Sequence, residues 1–489
     1  MTNIFPKLAN ALRQSYISRA FGFLSVAQAV NAVSSFGVMT VFTRFLSPED
    51  YGRVSLLWLF IMILSIVVDS RLNSAYCIKH YKVAREENIK NIYSILLFNL
   101  VVATCIYLLW ISFPGFFAQI LQISVSLAEI RLVCLISLTM VIAKFLNSLL
   151  LVTKKAKLFF WSSVFFNFIL LAACGWFLFF MKLGYFSYLY GHLLAYGVLS
   201  CVCLGYLLRE YAPGGFTGFF SFKNLTGLIK LSFPLIPDAF LLMILAGAGR
   251  YLLNIYSGLA LVAIYSVSYM FASVFNTLVL GPFGQAITPV LYEKYAKAEH
   301  VYTEYLSIIF KYYWIVLMTL ILGFYSFFRE LFPLLVGEKY VEAFNIIGII
   351  MLGLVIYGAA SILSCTIVLK EKTHLVFLIT LISAVVNILS SLLLIPGWGL
   401  YGAALASFAG YFVQALLMIY FSQKMLPINF NVAFLCRFAA LLTVVCVFYI
   451  MISQLNISIL NQILLKMAVF SLYLGFLGWF INLRKLTGI

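Results

Sequence analysis

Two cations lie inside long apolar stretches of this 489-residue chain. Lys144 falls in the stretch 128–151 and Arg250 in the stretch 231–256, and neither has an acidic residue three or four positions away. An ionisable group at mid-bilayer costs roughly 2.5–3.5 kcal/mol on insertion scales, so it usually faces an aqueous cavity or a partner. Because Lys and Arg form charge-assisted hydrogen bonds with phosphate oxygens, the two cations suit an anionic ligand. Snorkelling, or an ion pair between helices, is the alternative.

Uncharged polar residues accompany these cations. Asn147 and Asn254 follow Lys144 and Arg250 by three and four positions, on the same helix face. Such side chains bind sugar hydroxyls, but they also join helices to one another. The predicted cavity residues are Lys144, Arg250, Arg44, Gln28, Asn31, Ser35, Asn147, Asn254 and Asn276.

Acidic residues within apolar stretches are candidates for ion coupling. Asp238 lies beside Pro237, which removes a backbone donor and frees carbonyls. A carboxylate at such a site could bind H⁺ or Na⁺, although contact with interfacial water explains it equally well. Asp69 is the second candidate. The predicted hinge residues are Pro234, Pro237, Gly281 and Pro282, and the run 281–284 is interpreted as a helix break.

Two acidic residues are interpreted as boundary ion pairs. Asp69 lies near Arg71, and Glu129 lies near Arg131. The chain contains no P-loop, no H-E-x-x-H and no nucleophile–base pair, and its four histidines are scattered. We therefore expect a transporter rather than an enzyme, with no metal site and no cofactor beyond a coupling ion.

The composition shows what must position these residues. The chain is 64% hydrophobic and 10% charged, with a mean hydropathy of +1.08. Since a transmembrane helix takes roughly 20 apolar residues, this content fills about fourteen of them. A soluble domain, a disordered chain and a β-barrel with strands of alternating polarity are excluded.

Hydropathy predicts an all-α, polytopic membrane protein with about 14 transmembrane helices. The predicted spans are 20–43, 52–75, 92–113, 128–151, 159–181, 186–208, 231–256, 260–284, 306–329, 341–369, 374–395, 399–422, 434–453 and 462–483. They divide into an interfacial segment 1–19, a six-helix lobe 20–210, a cytoplasmic linker 211–230, a second six-helix lobe 231–423, a helix pair 434–483 and a cytoplasmic tail 484–489.

The net charge of +17 is explained by the orientation of the chain in the membrane. With the N-terminus inside, 23 of the 32 Lys and Arg residues fall on the cytoplasmic side and seven on the other. Positive charge is retained on the cytoplasmic side of membrane proteins, so both termini are predicted to be cytoplasmic. The charge therefore does not indicate a nucleic-acid partner.

Three short motifs resemble one family. The run Thr43–Gly52, TRFLSPEDYG, resembles the signature of bacterial polysaccharide flippases, which export O-antigen repeat units and related lipid-linked oligosaccharides. The helix entrance Lys230–Pro237 is similar to the proline-bearing seventh helix of that family. The run Gly249–Leu253 resembles its "DRxxl" motif, except that Gly249 replaces the acid, so a role for that acid does not transfer.

This resemblance, to the multidrug/oligosaccharidyl-lipid/polysaccharide exporter superfamily, implies a MATE-like fold. It implies two six-helix lobes around a central cavity, followed by a helix pair. The implied cargo is an undecaprenyl-diphosphate-linked oligosaccharide, flipped from the cytoplasmic to the periplasmic leaflet of the bacterial inner membrane. The implied partners are membrane lipid and the polysaccharide polymerase machinery.

Other functions are open at this stage. A lipid II flippase shares the span count, but its first signature continues into Gly-Phe-x-Arg-Asp, whereas this chain has Ser47–Gly52, which favours the O-antigen type. A multidrug exporter for cationic compounds would need an acidic cavity. A membrane glycosyltransferase or O-antigen polymerase would need a large periplasmic loop, and the longest connections here hold only about twenty residues.

Overall fold

The computed structural model describes residues 16–211, 220–430, 432–455 and 459–487, which form helices and turns without a strand. The α-helices, in chain order, are α1 Tyr16–Phe45, α2 Pro48–Asp69, α3 Leu72–Lys79, α4 Arg85–Ser112, α5 Pro114–Leu121, α6 Leu127–Val152, α7 Ala156–Gly175, α8 Phe186–Glu210, α9 Phe222–Ser232, α10 Leu235–Ser257, α11 Leu259–Phe275, α12 Gly281–Lys297, α13 Glu299–Leu335, α14 Phe344–Leu369, α15 Thr373–Met425, α16 Val432–Gln454 and α17 Ile459–Thr487. Of the predicted N-terminal segment, residues 1–15 lie outside the described residues.

Thirteen helices in the described ranges are long and apolar enough to cross a membrane. One of them, α15, has 53 residues and bends at Gly399, whose φ of 48° and ψ of −118° are not helical. The Asn387 amide donates to the Ala406 carbonyl at 3.2 Å, so the bend divides α15 into two helices that pack side by side in opposite directions. The predicted number of about fourteen spans is therefore confirmed for the described part of the chain.

The long helices pack as two lobes of six. In the first lobe, α8 packs against α6 and α7, and α1 packs against α7. In the second, α15 packs against α10 and α14, and α11 packs against α14. The lobes meet mainly where α11 crosses α2. One buried apolar cluster, which includes Phe42, Leu57, Tyr265 and Met351, extends through both lobes.

A short amphipathic helix connects the lobes. Within α9, Leu225 and Leu228 are buried and the lysines lie on the other side, which is the pattern of a helix lying on a surface. Ser221 caps α9, because its hydroxyl accepts a hydrogen bond from the backbone N–H of Asn224 at 3.3 Å. The second half of the predicted linker 211–230 is thus helical and packs on α3 and α4; residues 212–219 lie outside the described residues.

The helix break predicted at 281–284 is wrong. A π-helical turn, Asn276–Leu280, follows α11 directly, and α12 continues from Gly281 without interruption. A π-turn keeps the chain helical while it absorbs an extra residue, so a proline shortly after it is tolerated.

The last two helices form an appended pair. Helices α16 and α17 pack on each other and on α13, through a separate buried cluster that includes Phe434, Phe438 and Tyr473. The Thr319 and Tyr473 hydroxyls, 2.7 Å apart, add a hydrogen bond between α13 and α17. Helix α17 extends through Thr487, so most of the predicted tail 484–489 is helical.

Candidate functional site

Successive long helices run in opposite directions, so the bundle has two distinct ends. We call the end where α2 stops at Asp69 and α6 stops at Val152 the basic end, because the lysine-rich loops lie there. The opposite end is where α1 stops at Phe45 and α11 begins at Leu259. Each predicted site residue can be placed relative to these two ends.

At the opposite end, two glycines bring the lobes into backbone contact. A Cβ atom at Gly52 would overlap the carbonyl oxygen of Leu259 in the other lobe. A Cβ atom at Gly337 would lie 2.6 Å from the carbonyl oxygen of Thr43. Only glycine permits this approach at either position. The signature run 43–52 therefore forms part of the lobe contact.

Side chains reinforce this contact. The rings of Tyr51 and Tyr340, one from each lobe, meet edge to face at 5.8 Å, and the Tyr340 hydroxyl donates to the Leu46 carbonyl at 3.5 Å. The Arg44 guanidinium donates to the carbonyl of Leu334 at the end of α13. Arg44, predicted from sequence as a cavity residue, is exposed and joins the lobes in this conformation.

A buried ion pair strengthens the first lobe at the same end. The Arg53 Nε lies 2.6 Å from a carboxylate oxygen of Glu129, whose side chain is completely buried. The carboxylate also accepts bonds from the backbone N–H of Ser126 at 2.7 Å and from the Tyr185 hydroxyl at 3.3 Å. The prediction that Arg131 pairs with Glu129 is wrong; Arg131 is exposed, and the partner comes from a helix that sequence spacing could not indicate.

Arg250 lies among tyrosines. Its guanidinium carbon is 4.6 Å from the centre of the Tyr269 ring, and it also lies within electrostatic range of Tyr51 and Tyr188 of the first lobe. Its Nε is buried and makes no hydrogen bond within the described residues. The Arg250 guanidinium thus lies at the contact between the lobes, and its Nε–H donor is not used by any described residue.

Asn254, one turn beyond Arg250, has a structural role in this conformation. Its side-chain amide donates to the carbonyls of Leu121 and Gln122 at 3.2 Å each. These carbonyls terminate α5 in the first lobe, where no intrahelical donor remains for them. The contact adds another bond between the lobes at the opposite end.

At the basic end, Lys144 is surrounded by charge. Its side chain is exposed, whereas its neighbours Ala143 and Phe145 are buried. Asp69 and Arg71 both lie within electrostatic range of its ammonium group. The charges near Lys144 therefore come from Asp69, 75 positions earlier in the chain, and from Arg71, and not from its own helix.

Asp238 approaches this group from the second lobe. It lies in the first turn of α10, half-buried, within electrostatic range of Arg71. The Thr380 hydroxyl, which donates to the Val376 carbonyl at 2.9 Å, also lies beside the Asp238 carboxylate. The predicted ion-coupling residues Asp69 and Asp238 thus both face the same arginine.

Two of the predicted uncharged cavity residues join helices of the first lobe. Asn31 accepts a hydrogen bond from Asn167 of α7 at 2.5 Å, and Asn147 accepts one from Ser162 of α7 at 3.1 Å. The half-buried side chains of Gln28, Ser35 and Asn276 complete the predicted set. Both asparagines retain donors that these bonds do not use.

The predicted hinge residues fall at two junctions. Pro234 lies in the turn between α9 and α10, and Pro237 lies in the first turn of α10, where its missing N–H is harmless. Gly281 and Pro282 begin α12, just after the π-turn. Within the described residues, no three His, Cys, Asp or Glu side chains are grouped in a way that could hold a metal ion.

Arg71 is the main residue that sequence reasoning missed. The sequence places it at the inner end of the predicted span 52–75 and pairs it with Asp69, its neighbour in the chain. In the structure it lies within electrostatic range of Asp69, Lys144 and Asp238. No sequence signal brings these four charges together, since they come from three helices and one turn.

Comparison with known proteins identifies the chain. The family model described as polysaccharide biosynthesis protein matches residues 17–295, more than half of the length. The chain belongs to this family. No curated protein sequence matches it. The expectation from the signature motifs is thus confirmed at the level of the family.

Solved structures share the fold of this chain. It is similar to the lipid II flippase MurJ in an inward closed conformation, with a TM-score of 0.73 and 17% identity over 95% of this chain and 99% of that one. It is also similar to a multidrug resistance MATE family transporter of the MOP superfamily. The inward-facing form gives 0.63 and 14% identity over 81% and 94% of the two chains; the outward-facing form gives 0.60 and 14% over 84% and 96%. At these identities the likeness concerns the fold, and the expected MATE-like architecture is confirmed.

Proposed function

We propose that this protein flips a lipid diphosphate-linked oligosaccharide from the cytoplasmic to the periplasmic leaflet of the bacterial inner membrane. Family membership and the fold shared with a lipid II flippase support this function. The observation that carries it is Lys144, an exposed cation in a membrane-spanning helix with Arg71 nearby. Two cations within electrostatic range of each other suit a diphosphate, which carries several negative charges.

The arrangement of the lobes supports alternating access. The lobes are joined at the opposite end by backbone approach at Gly52 and Gly337, so the basic end is the side from which cargo would enter. A diphosphate at Lys144 keeps its lipid chain in the bilayer while the glycan occupies the space between the lobes. When the contacts at the opposite end separate, Arg250 becomes available to the anion on the far side.

Coupling to an ion gradient forms part of the proposal. Asp238 and Asp69 are carboxylates near cargo-binding cations, and binding of H⁺ or Na⁺ would reduce their attraction for Arg71. Ion binding would thus alter the same charge balance that the cargo alters. The undecaprenyl carrier, the O-antigen-type glycan, contact with polysaccharide polymerase machinery and the cytoplasmic position of both termini are further parts of this proposal.

The fold alone also suits a multidrug exporter, since MATE transporters share it. A site for cationic drugs needs net negative charge. The cations Lys144 and Arg250 instead face exposed space and a lobe contact that opens in the transport cycle. A lipid-linked anion therefore suits the site better than a cationic drug.

Deletion of the gene tests the proposed function. The expected result is accumulation of complete lipid-linked repeat units in the cytoplasmic leaflet, together with loss of surface polysaccharide. Repeat units that lack one sugar, or surface polymers that are only shortened, would instead indicate a glycosyltransferase or polymerase. The native gene supplied on a plasmid is the control.

A further inference from the structure

Arg71 occupies an unusual position between two helices. Ser70 and Arg71 have φ values of 45° and 57°, a left-handed conformation that side chains other than glycine rarely adopt. The Ser70 N–H bonds to the last turn of α2, and the Arg71 carbonyl accepts from Ala75 in α3. The backbone is therefore fixed on both sides of the arginine, which determines where its side chain begins.

The turn is also held next to Lys144. The Asn73 side-chain amide donates to the Ser148 hydroxyl at 2.9 Å, and Ser148 lies one turn beyond Lys144 on α6. The Asn73 backbone N–H donates to Asp69 at 3.3 Å. These two bonds keep Asp69, Arg71 and Lys144 on one side of the first lobe.

The guanidinium group has unused hydrogen-bonding capacity. The Nε of Arg71 is buried and makes no hydrogen bond to the described residues. Leaving a buried donor of a charged group without a partner is costly. Asp69 of the same lobe and Asp238 of the other lobe are the carboxylates within its electrostatic range.

We propose that Arg71 is a second anion-binding residue beside Lys144, and that Asp238 of the other lobe attracts it in the empty protein. This inference rests on the proposed function, because it assigns the diphosphate of the cargo to both cations. An arriving diphosphate competes with the Asp238 carboxylate for Arg71. Cargo binding thereby weakens an attraction between the lobes at the basic end. Arg71 thus couples occupancy of the anion site to the interaction with the other lobe.

Binding of two diphosphate probes to the full-length protein tests the inference. The protein is placed in phosphatidylcholine nanodiscs, and the affinities for farnesyl diphosphate and for inorganic diphosphate are measured. Arg71→Gln is expected to weaken binding of farnesyl diphosphate about tenfold, as expected for the loss of a charge-assisted hydrogen bond. Arg71→Lys should restore part of this loss. Inorganic diphosphate should show the same order of variants with weaker affinity; equal affinity for both probes would assign the site to free diphosphate.

Substitution of Asp238 tests the competition. Asp238→Asn is expected to strengthen binding about threefold to tenfold, because it removes the competing carboxylate. In the Arg71→Gln background the same change should have an effect at least threefold smaller. Equal effects of Asp238→Asn in both backgrounds would overturn the inference, since Asp238 would then act independently of Arg71.

Matched variants separate this inference from the proposed function. Lys144→Gln should weaken binding, whereas Arg131→Gln should not, because Arg131 is exposed at the opposite end of the same helix. If Lys144→Gln weakens binding and both Arg71 variants bind normally, the role of Arg71 is wrong and the proposed function stands. If the native protein binds neither probe, both are contradicted. Thermal unfolding of each variant shows whether a loss of binding reflects a loss of fold.

Discussion

The two ends of the bundle are held by different interactions. At the opposite end, the lobes touch through glycines, aromatic rings and backbone carbonyls. At the basic end, Asp238 of the second lobe lies within electrostatic range of Arg71 of the first lobe. Close packing is short-ranged and lost at once when surfaces separate, whereas charge acts over distance and responds to ligands. We therefore expect the opposite end to depend on close packing and the basic end to respond to an ion or an anionic cargo.

Breaking the buried ion pair between Arg53 and Glu129 at the opposite end should have the largest effect on stability. Arg53→Gln leaves Glu129 buried without its cation, which costs about 3–5 kcal/mol for a buried pair. We expect a large decrease in the temperature of unfolding of the purified protein. The partly exposed pair at the basic end, Lys79 and Glu87 at 2.9 Å, provides the control.

Glu87→Gln should change stability by about 1 kcal/mol or less, because exposed pairs contribute little. Equal loss in the two variants would contradict the difference between the ends.

Substitution of Gly52 should open the close-packed end. Gly52→Ala forces a methyl group into the Leu259 carbonyl, and overpacking of this kind costs about 1–3 kcal/mol. The lobes should separate at this end, and transport should fall. The distance between labels at the exposed positions Lys182 and Tyr401, one in each lobe, measures the separation in a background without exposed cysteines.

Gly205→Ala is the matched control for this variant, because nothing lies within 4 Å of a Cβ at that helical position. An unchanged label distance in Gly52→Ala would show that the glycine contact does not determine closure.

At the basic end, loss of Lys144 should reduce transport without loss of fold. Lys144→Gln removes a charge-assisted hydrogen bond to the cargo, and a loss of about 1.4 kcal/mol corresponds to tenfold in rate or affinity. Polysaccharide export by the variant in a deletion strain measures the effect. The variant Lys182→Gln, at an exposed position of the opposite end, should export polysaccharide normally. Normal export by Lys144→Gln would contradict a role of Lys144 in cargo binding.

Substitution of Arg250 should have the smallest effect, and this effect should fall on flipping rather than on binding at the basic end. Its contact with Tyr269 is worth about 1 kcal/mol, as a partly exposed cation–π interaction. Arg250→Gln is expected to leave diphosphate binding at the basic end within about twofold, while flipping falls several-fold. Weakened binding with normal flipping would place Arg250 in the entry site and contradict its assignment to the far end.

The sequence predicted the membrane architecture well, for a physical reason. Each helix satisfies its own backbone in lipid, so spans follow from local hydropathy alone. The unusual position of Lys144 and Arg250 could be read in the same way, because a charge in an apolar stretch is a local signal. Even the bend at Gly399 follows a Pro-Gly-Trp-Gly run that is visible in the chain.

What could not be predicted depends on which helices are neighbours. Glu129 pairs with Arg53, 76 positions away, and not with Arg131 two positions away. Arg71 comes within electrostatic range of Lys144 and Asp238 only through the packing of the helices, since the three residues are far apart in the chain. The sequence supplied candidates, and packing decided which of them act together.

The difference between the ends also explains where the family signature lies. The run 43–52 contains Gly52, Tyr51 and Arg44, each of which contacts the second lobe. The motif that indicated the family thus lies at the lobe contact of the opposite end. The proposed anion-binding residues Arg71 and Lys144 lie elsewhere, at positions that no motif marks.

Flipping by the purified protein tests the central claim most directly. The protein is reconstituted into vesicles with a fluorescent undecaprenyl diphosphate-linked oligosaccharide, and the fraction of the lipid in each leaflet is followed over time. The account predicts that native protein and Lys182→Gln move the lipid between leaflets, whereas Lys144→Gln does so about tenfold more slowly. Equal rates for Lys144→Gln and the native protein, or no movement with native protein, would contradict it.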